Sequence, residues 1–353
     1  MGRTRPPSTR RVKTSKLRPG RPPLLSTNDK ATTASGGTRP HQHQSQSHSQ
    51  SSRHTRSIIR AHHVLQKQLA RAKASDDETQ IAELERQLAE AGGLRTYQLA
   101  STVGQSASRG GDSSRVLVEW MRDEIEPRRQ SLKAKAKEKK GGEPQRIDPL
   151  HILEVGALST QNALNIPGVT SVRRIDLRSS GVGIEECDFM DFPTPSAADG
   201  SGEWLGRRGY DVLSLSLVLN YVPDAKGRGD MLRRTTEFLS ERPTRSTKEA
   251  DEQAEAEVVN QPLVPSLFLV LPAPCLHNSR YLTPRYLELI MSSLGYSLAN
   301  HKTTQKLYYS LWHYDFTKRE ESRNQWRRTP FPKKEINPGG GRNNFCIVVD
   351  HDA

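Results

Sequence analysis

Leu153-Glu154-Val155-Gly156-Ala157-Leu158, followed twenty residues beyond Gly156 by Ile175-Asp176-Leu177, is the stretch on which the reading of the fold turns. Each is a short apolar run, the first carrying a glycine at its end and the second an acid. On an α/β sheet this pairing receives a nucleoside: bare backbone lets the ligand come close, and the carboxylate takes the two ribose hydroxyls. The same residue types also close ordinary strands and open ordinary turns, so spacing alone leaves that plainer reading standing.

The residues after Gly156 narrow the nucleoside. A dinucleotide carries a pyrophosphate, which needs the second and third glycines of G-x-G-x-x-G to bring a helix N-terminus against it. Ala157, Leu158, Ser159, Thr160 and Gln161 stand there instead. A nicotinamide-dependent oxidoreductase is thereby disfavoured, whereas S-adenosylmethionine has the ribose without the phosphate and tolerates the loss.

Outward from this pair, short apolar runs alternate with helical or turn segments after residue 147. Strands are predicted at His151 to Val155, Val172 to Ile175, a short element closed by Cys187-Asp188-Phe189, Val212 to Leu217 and Leu267 to Leu271. Amphipathic helices are predicted over 228–239 and 284–294, and final strands at Leu307 to Trp312 and Phe345 to Val349, paired as a hairpin across a long loop. The expected fold class is α/β: a Rossmann-like, doubly wound, mostly parallel seven-stranded sheet with an antiparallel edge hairpin, preceded by an N-terminal helical region. In that region the pattern between Ser57 and Ala91 suits two helices that meet near residue 75 as well as one long helix, followed by helices over about 94–103 and 114–125 and a basic, solvated helix end or linker from Arg128 to Lys140. Domain limits follow: a disordered basic tail over 1–56, the helical region over 57–146, and the cofactor-binding domain over 147–353 with a disordered insertion at 241–262.

Charge separates the tail from the rest. Residues 1 to 60 hold 13 Lys and Arg against the one acid Asp29, so +12 of the formal +13 sits there. Such a segment has too little apolar surface to offset its ordering entropy, and it reads as a nuclear or nucleolar address that also attracts phosphate backbone, or as a merely solvated basic arm. Cys187, Cys275 and Cys346 lie far apart with no C-x-x-C pair and read as reduced core thiols; no metal is expected. No stretch approaches 18 apolar residues and the N-terminus has no apolar signal segment, so neither membrane spanning nor secretion is expected.

Several strings, in order, carry a resemblance. Tyr97-Gln98-Leu99-Ala100-Ser101, Gly110-Gly111-Asp112-Ser113-Ser114, the Leu153 to Leu158 and Ile175 to Leu177 runs, Cys187-Asp188-Phe189-Met190 and Ser214 to Pro223 are together similar to the fungal family that methylates N1 of an adenine in 25S ribosomal RNA. The resemblance spans about residues 93 to 350. It implies an S-adenosyl-L-methionine-dependent methyltransferase, nuclear and nucleolar, acting on ribosomal RNA in the pre-60S particle. Gly156 would face the methionine and ribose portion of the cofactor and Asp176 the ribose hydroxyls, with Asp188 and the backbone beside Phe189 at the adenine. Relatives outside fungi imply an alternative, a non-catalytic S-adenosylmethionine sensor acting through protein partners, for which the N-terminal helices would be a contact.

For the chemistry, Asn220-Tyr221-Val222-Pro223 lacks the Pro-Pro of amino-directed adenine methyltransferases, which argues against N6 as the acceptor. Ring N1 already has an in-plane lone pair, so methyl transfer there needs in-line placement and no general base. Asn220 is expected to orient the base through its amide, Tyr221 to stack on it, and Asp224 to offer a counter-charge; a plain strand-to-helix turn uses the same residue types. The target must leave its stack or pair, since N1 lies on the pairing edge. From 318 to 334, seven basic residues against two acids are interleaved with Trp326 and Phe331, which suits RNA contact as well as a solvated loop.

Overall fold

The apolar runs become strands because they are short, rich in branched side chains and closed by turn residues. In chain order the elements are α1 (Ser52–Ala74), α2 (Glu78–Glu90), α3 (Gly93–Gly104), α4 (Ser114–Trp120), α5 (Arg122–Lys137), β1 (Leu150–Val155), β2 (Thr170–Asp176), β3 (Glu185–Glu186), β4 (Val212–Ser216), α6 (Ala225–Thr235), β5 (Ser266–Pro272), α7 (Pro274–His277), α8 (Pro284–Ser293), β6 (Tyr296–Thr303) and β7 (Leu307–Tyr314). This computed structural model describes residues 52–104, 112–137, 148–195, 209–240, 263–318 and 330–350. Most of the basic tail, the 241–262 insertion, Gly110-Gly111 and most of the 318–334 patch, Trp326 included, lie outside the described residues.

The seven strands form one sheet in the order β3-β2-β1-β4-β5-β7-β6. The first five are parallel, and β7 runs antiparallel between β5 and β6. From β1 the chain moves outward to β2 and β3; from β4 it moves the other way. That reversal is a topological switch point, and it places the carboxyl ends of β1 and β4 side by side.

Side chains alternate between the two faces with the period of a strand. Leu153, Leu213, Leu267, Leu269 and Leu271 meet Met231 and Leu232 of α6 and Leu287, Ile290 and Met291 of α8. On the other face Ile152, Val212, Phe268 and Val270 meet Leu117, Met121 and Ile125. β5 is fully buried from Ser266 to Leu271, which is why it reads as an unbroken apolar run.

The second face is covered in an unusual order. The β1–β2 connection, fully described, has no helix, so α4 and α5 from earlier in the chain fill the space a crossover helix would take. Asp112 fastens the substitution: its Oδ1 accepts from Ser114 N at 2.9 Å and its Oδ2 from Ala163 N at 2.7 Å, tying the start of α4 to the connection. Beneath it Glu154 pairs with Arg174 at 3.0 Å and accepts from Asn162 Nδ2 at 2.7 Å. Burial nevertheless pushes the Glu154 carboxyl above its ordinary range, so desolvation outweighs the ion pair there.

Three expectations need correction. The edge hairpin pairs β7 with β6, and 345–349 is not a strand: Phe345, Ile347 and Val349 enter the core beside α6, with only an isolated bridge from Val349 to Phe331. β6 escaped notice because its outer residues are polar and exposed, as suits an edge. The helix expected over 114–125 is two, broken at Met121. Arg128 is not solvated; it is buried, with Nε donating to Asp148 O at 2.9 Å and Nη1 paired with Glu124. Of the two readings of 57–91 the structure has two helices, α1 ending at Ala74 and α2 beginning at Glu78, and Asp77 caps α2 by accepting from Gln80 N at 3.0 Å. Leu69 and Ala72 of α1 pack there against Leu84 and Leu88.

Candidate active site

The switch point opens into a cleft of about 1170 Å³. Its floor is the ends of β1, β2 and β4, and its far wall is α1 and α3. Gly156, Asp176, Asp188, Phe189, Asn220, Tyr221 and Asp224 all line it, so the seven residues expected at the cofactor and the base arrive at one place.

Gly156 leaves β1 at φ +76°, a left-handed conformation that costs other residues roughly 1–2 kcal/mol. A Cβ there would stand 2.4 Å from Val218 Cγ2 and 4.0 Å from Asp176 Oδ2. Bare backbone is thus required where β1 meets the loop after β4. Leu217, in that loop, also takes a positive φ, +61°, and such strain in a side-chain-bearing residue clusters at functional sites.

Asp176 is held by one oxygen. Oδ1 accepts from Gln98 Nε2 at 2.5 Å and from Arg178 N at 3.0 Å, while Oδ2 lies toward Gly156. Gln98 is itself oriented by donating to Arg178 O at 2.8 Å. Burial raises the carboxyl above its ordinary range; the bonds from Arg178 and Gln98 act in the opposite direction.

The other two residues of the cofactor set differ in character. Asp188 is exposed and its Oδ1 accepts from Met190 N at 2.8 Å, shaping the turn after β3. The Phe189 ring is buried and packs on Phe238 with centroids 5.0 Å apart, so it belongs to the core.

At the end of β4, the Asn220 Oδ1 is buried with no hydrogen-bond partner among the described residues. An unsatisfied buried acceptor costs about 1–3 kcal/mol, and natural structures keep few of them. Tyr221 stands in an aromatic cluster: its ring centroid is 4.9 Å from Tyr97 and 5.7 Å from both His62 and His63. Burial raises the Tyr221 hydroxyl well above its ordinary value and lowers both imidazoles, His63 to about 4 with the positive field of His62, Lys67 and Arg228 adding to the effect. All three groups are neutral near pH 7.

The turn itself is fixed from behind. Asp224 caps α6, its Oδ1 accepting from Gly227 N at 2.6 Å. Arg228 is buried and donates to Val222 O at 2.9 Å, Pro223 O at 3.0 Å and Cys346 O at 2.6 Å, with its guanidinium 4.4 Å from the Phe345 ring centroid. The expected counter-charge is therefore first a helix cap, and the plain-turn reading holds for Asp224. Phe331, from the basic patch, packs edge-on to Tyr286 at 5.7 Å.

His62 and His63 were missed, although the sequence held a signal. Ile58, Leu65 and Leu69 mark the apolar side of α1, and His62 falls on that same line, four after Ile58 and three before Leu65. Tyr97 and Gln98 lie in the Tyr97 to Ser101 run, whose sequence gives neither a role; nothing local says that α3 returns to β2. Among the described residues no helix is long and apolar enough to cross a membrane, and no group of three His, Cys, Asp or Glu is placed to hold a metal ion.

Comparison with known proteins bears on this cleft. The family described as "25S rRNA (adenine(2142)-N(1))-methyltransferase, Bmt2" matches residues 82–347. The 25S rRNA adenine-N(1) methyltransferase of Schizosaccharomyces pombe is 33% identical over 82% of this chain and 89% of its own. The 25S rRNA (adenine(2142)-N(1))-methyltransferase of Saccharomyces cerevisiae is 28% identical over 83% of this chain and 71% of its own. Among solved structures, the N-terminal domain of EvdMO1 with SAH bound aligns over 57% of this chain and 84% of its own at 10% identity and a TM-score of 0.28, too slight a likeness to argue from.

Proposed function

The chain belongs to the 25S rRNA (adenine(2142)-N(1))-methyltransferase family, Bmt2, and from that premise we propose that it methylates N1 of an adenine in large-subunit ribosomal RNA, using S-adenosylmethionine. The observation that carries the reading is the Asn220 Oδ1, buried without a hydrogen-bond partner among the described residues, on a residue that lines the same cleft as Gly156 and Asp176.

The residues present fit the cofactor. The β1–β2 connection offers no helix N-terminus for a pyrophosphate, whereas Gly156 supplies bare backbone and Asp176 turns Oδ2 toward it. Gly156 would face the methionine and ribose, Asp176 the ribose hydroxyls, and Asp188 with the backbone beside Phe189 the adenine. When bound, S-adenosylmethionine supplies an electrophilic methyl on a sulfonium sulfur.

The chain's own part is placement. Asn220 Oδ1 is an acceptor in need of a donor, and the exocyclic amine beside adenine N1 is one; guanine would present an oxygen there, acceptor against acceptor. As positive charge develops on the base, that bond strengthens, which favours the transition state over the ground state. Tyr221 supplies an aromatic face next to it. No group need remove a proton from N1, and the two imidazoles packed beside Tyr221, those of His62 and His63, are neutral near pH 7. Asp224 holds the turn that carries both residues and leaves its charge at the cleft rim. The +12 charge of residues 1 to 60 supports attraction to the pre-60S particle and residence in the nucleolus.

The test is methyl transfer from labelled cofactor to 25S ribosomal RNA lacking the modification, with the product mapped by nuclease digestion. Label at N1 of an adenine is the expected result. Tight cofactor binding with no transfer to any ribosomal RNA would overturn it and favour a cofactor-binding protein that acts through partners.

A further inference from the structure

α1 precedes the span over which the family matches, yet it reaches into the cleft. We infer that His62 is a positioning residue of the transfer site, its Nε2 holding the Tyr221 hydroxyl so that the Tyr221 ring stays beside Asn220 to receive the base. The inference rests on the adenine-N1 reading above.

The geometry has three parts. First, His62 Nε2 and Tyr221 Oη are 2.9 Å apart, across 159 residues of sequence. His62 is 4% exposed, and a polar group so buried requires a partner; here the partner is a residue at the site. Second, the His62 ring is itself fixed, stacked on Tyr97 with centroids 4.9 Å apart and planes at 27°. Third, the backbone on the far side of Tyr221 is already pinned by Arg228 at Val222 O and Pro223 O and by the Asp224 cap. Backbone anchors leave a tyrosine two side-chain torsions. The hydroxyl tether removes them, which a ring beside a cleft of this volume otherwise keeps.

Neutral partners suit this task. Burial lowers the imidazole and raises the phenol, so a single proton, carried by the hydroxyl or by Nε2 according to the imidazole tautomer, bridges the pair without ionising either group. An aromatic platform fixed before the base arrives loses less freedom when it binds, and misplacement of the base is costly in a reaction that depends on in-line geometry. His63 lacks this role in the structure: it adds ring contacts, 5.5 Å edge-on to Tyr97.

The experiment compares full-length wild type with His62→Phe, which keeps a planar ring and loses the nitrogen, and His62→Gln, whose side-chain amide reaches toward the hydroxyl. Tyr221→Phe and the His62→Phe/Tyr221→Phe double variant complete a cycle, and exposed Val64→Ala on the same helix is the control. For each, kcat and KM for transfer to 25S ribosomal RNA are measured beside cofactor Kd and melting temperature. His62→Phe is expected to lose about tenfold in kcat/KM, the worth of one oriented hydrogen bond. His62→Gln should recover most of that loss, and the double variant should be no worse than Tyr221→Phe, with cofactor Kd unchanged. Wild-type rates in His62→Phe, additive losses in the double variant, or losses that follow melting temperature and are not rescued by glutamine would each overturn the positioning role. An inactive wild type would instead remove the methyltransferase reading, and this inference with it.

Discussion

Asp176→Asn separates what the site does from what the fold needs. In the structure both bonds that hold Asp176 fall on Oδ1, from Gln98 Nε2 and Arg178 N. An asparagine keeps that oxygen and its two donors, and converts only the position of Oδ2, the one turned toward Gly156, from acceptor to NH2. A ribose hydroxyl would lose one charge-assisted bond there, worth about 1.5–3 kcal/mol, or about 10- to 150-fold in Kd. Stability moves the other way. Burial holds the carboxyl above its ordinary pKa, so the folded chain binds this proton more readily than the unfolded chain, and stability is lost as pH rises through the folded value. Asparagine removes that dependence, so the variant should melt no lower than wild type at pH 7. Titration calorimetry with S-adenosylmethionine, paired with thermal melts at pH 7, gives both readings. An undiminished affinity refutes the cofactor assignment of Asp176, and a lower melting point refutes the argument that Oδ1 alone carries its structural bonds.

Three further outcomes follow from the same geometry. Asn220→Ala should lower kcat/KM for RNA about 10- to 100-fold while leaving cofactor Kd unchanged, since its buried oxygen has no hydrogen-bond partner among the described residues and is assigned to the base; a matching loss of cofactor affinity would place Asn220 in the wrong half of the cleft. Gly229→Ala sets a Cβ 1.8 Å from Val348 O, a backbone atom that cannot swing aside, and should destabilise by about 1–3 kcal/mol or more, seen as a lower denaturant midpoint with unchanged slope. His63, held near 4 when folded against an ordinary 6.5, binds fewer protons folded than unfolded, so stability falls as pH drops from about 6.5 toward about 4. His63→Gln should flatten part of that fall in melts between pH 7 and pH 5, and an identical slope would remove His63 from the account.

Most of the sheet was legible because parallel strands announce themselves: Leu267 to Leu271 is buried on both faces and reads as one apolar run. Where burial and strandedness part company the reading failed in both directions. β6 is a polar strand exposed at the edge, and 345–349 is apolar chain that is buried without joining the sheet. The positions of Gly156 and Asp176 were legible for a local reason, since each closes a strand and the order of those strands brings the two ends together. Around residues 220–224 only the backbone turn was legible. Asn and Tyr at 220 and 221 suit a turn and a base equally well, and what favours the base is the buried Asn220 oxygen, which has no hydrogen-bond partner among the described residues.

By itself the sequence determined an α/β sheet, with Gly156 and Asp176 as candidate nucleoside contacts at the ends of its first two strands, the absence of a phosphate cradle after Gly156, and a charge concentrated before residue 60. These are properties of short segments, fixed by periodicity, composition and spacing along the chain. The tertiary structure alone decided which side chains face one another across long separations. It brought Gln98 of α3 to Asp176, set His62 of α1 against the Tyr221 hydroxyl, and placed α4 and α5 where the β1–β2 connection has no helix. Contacts of that kind depend on how helices pack over a sheet, and packing is settled by the sum of many buried surfaces rather than by any residue's neighbours in sequence.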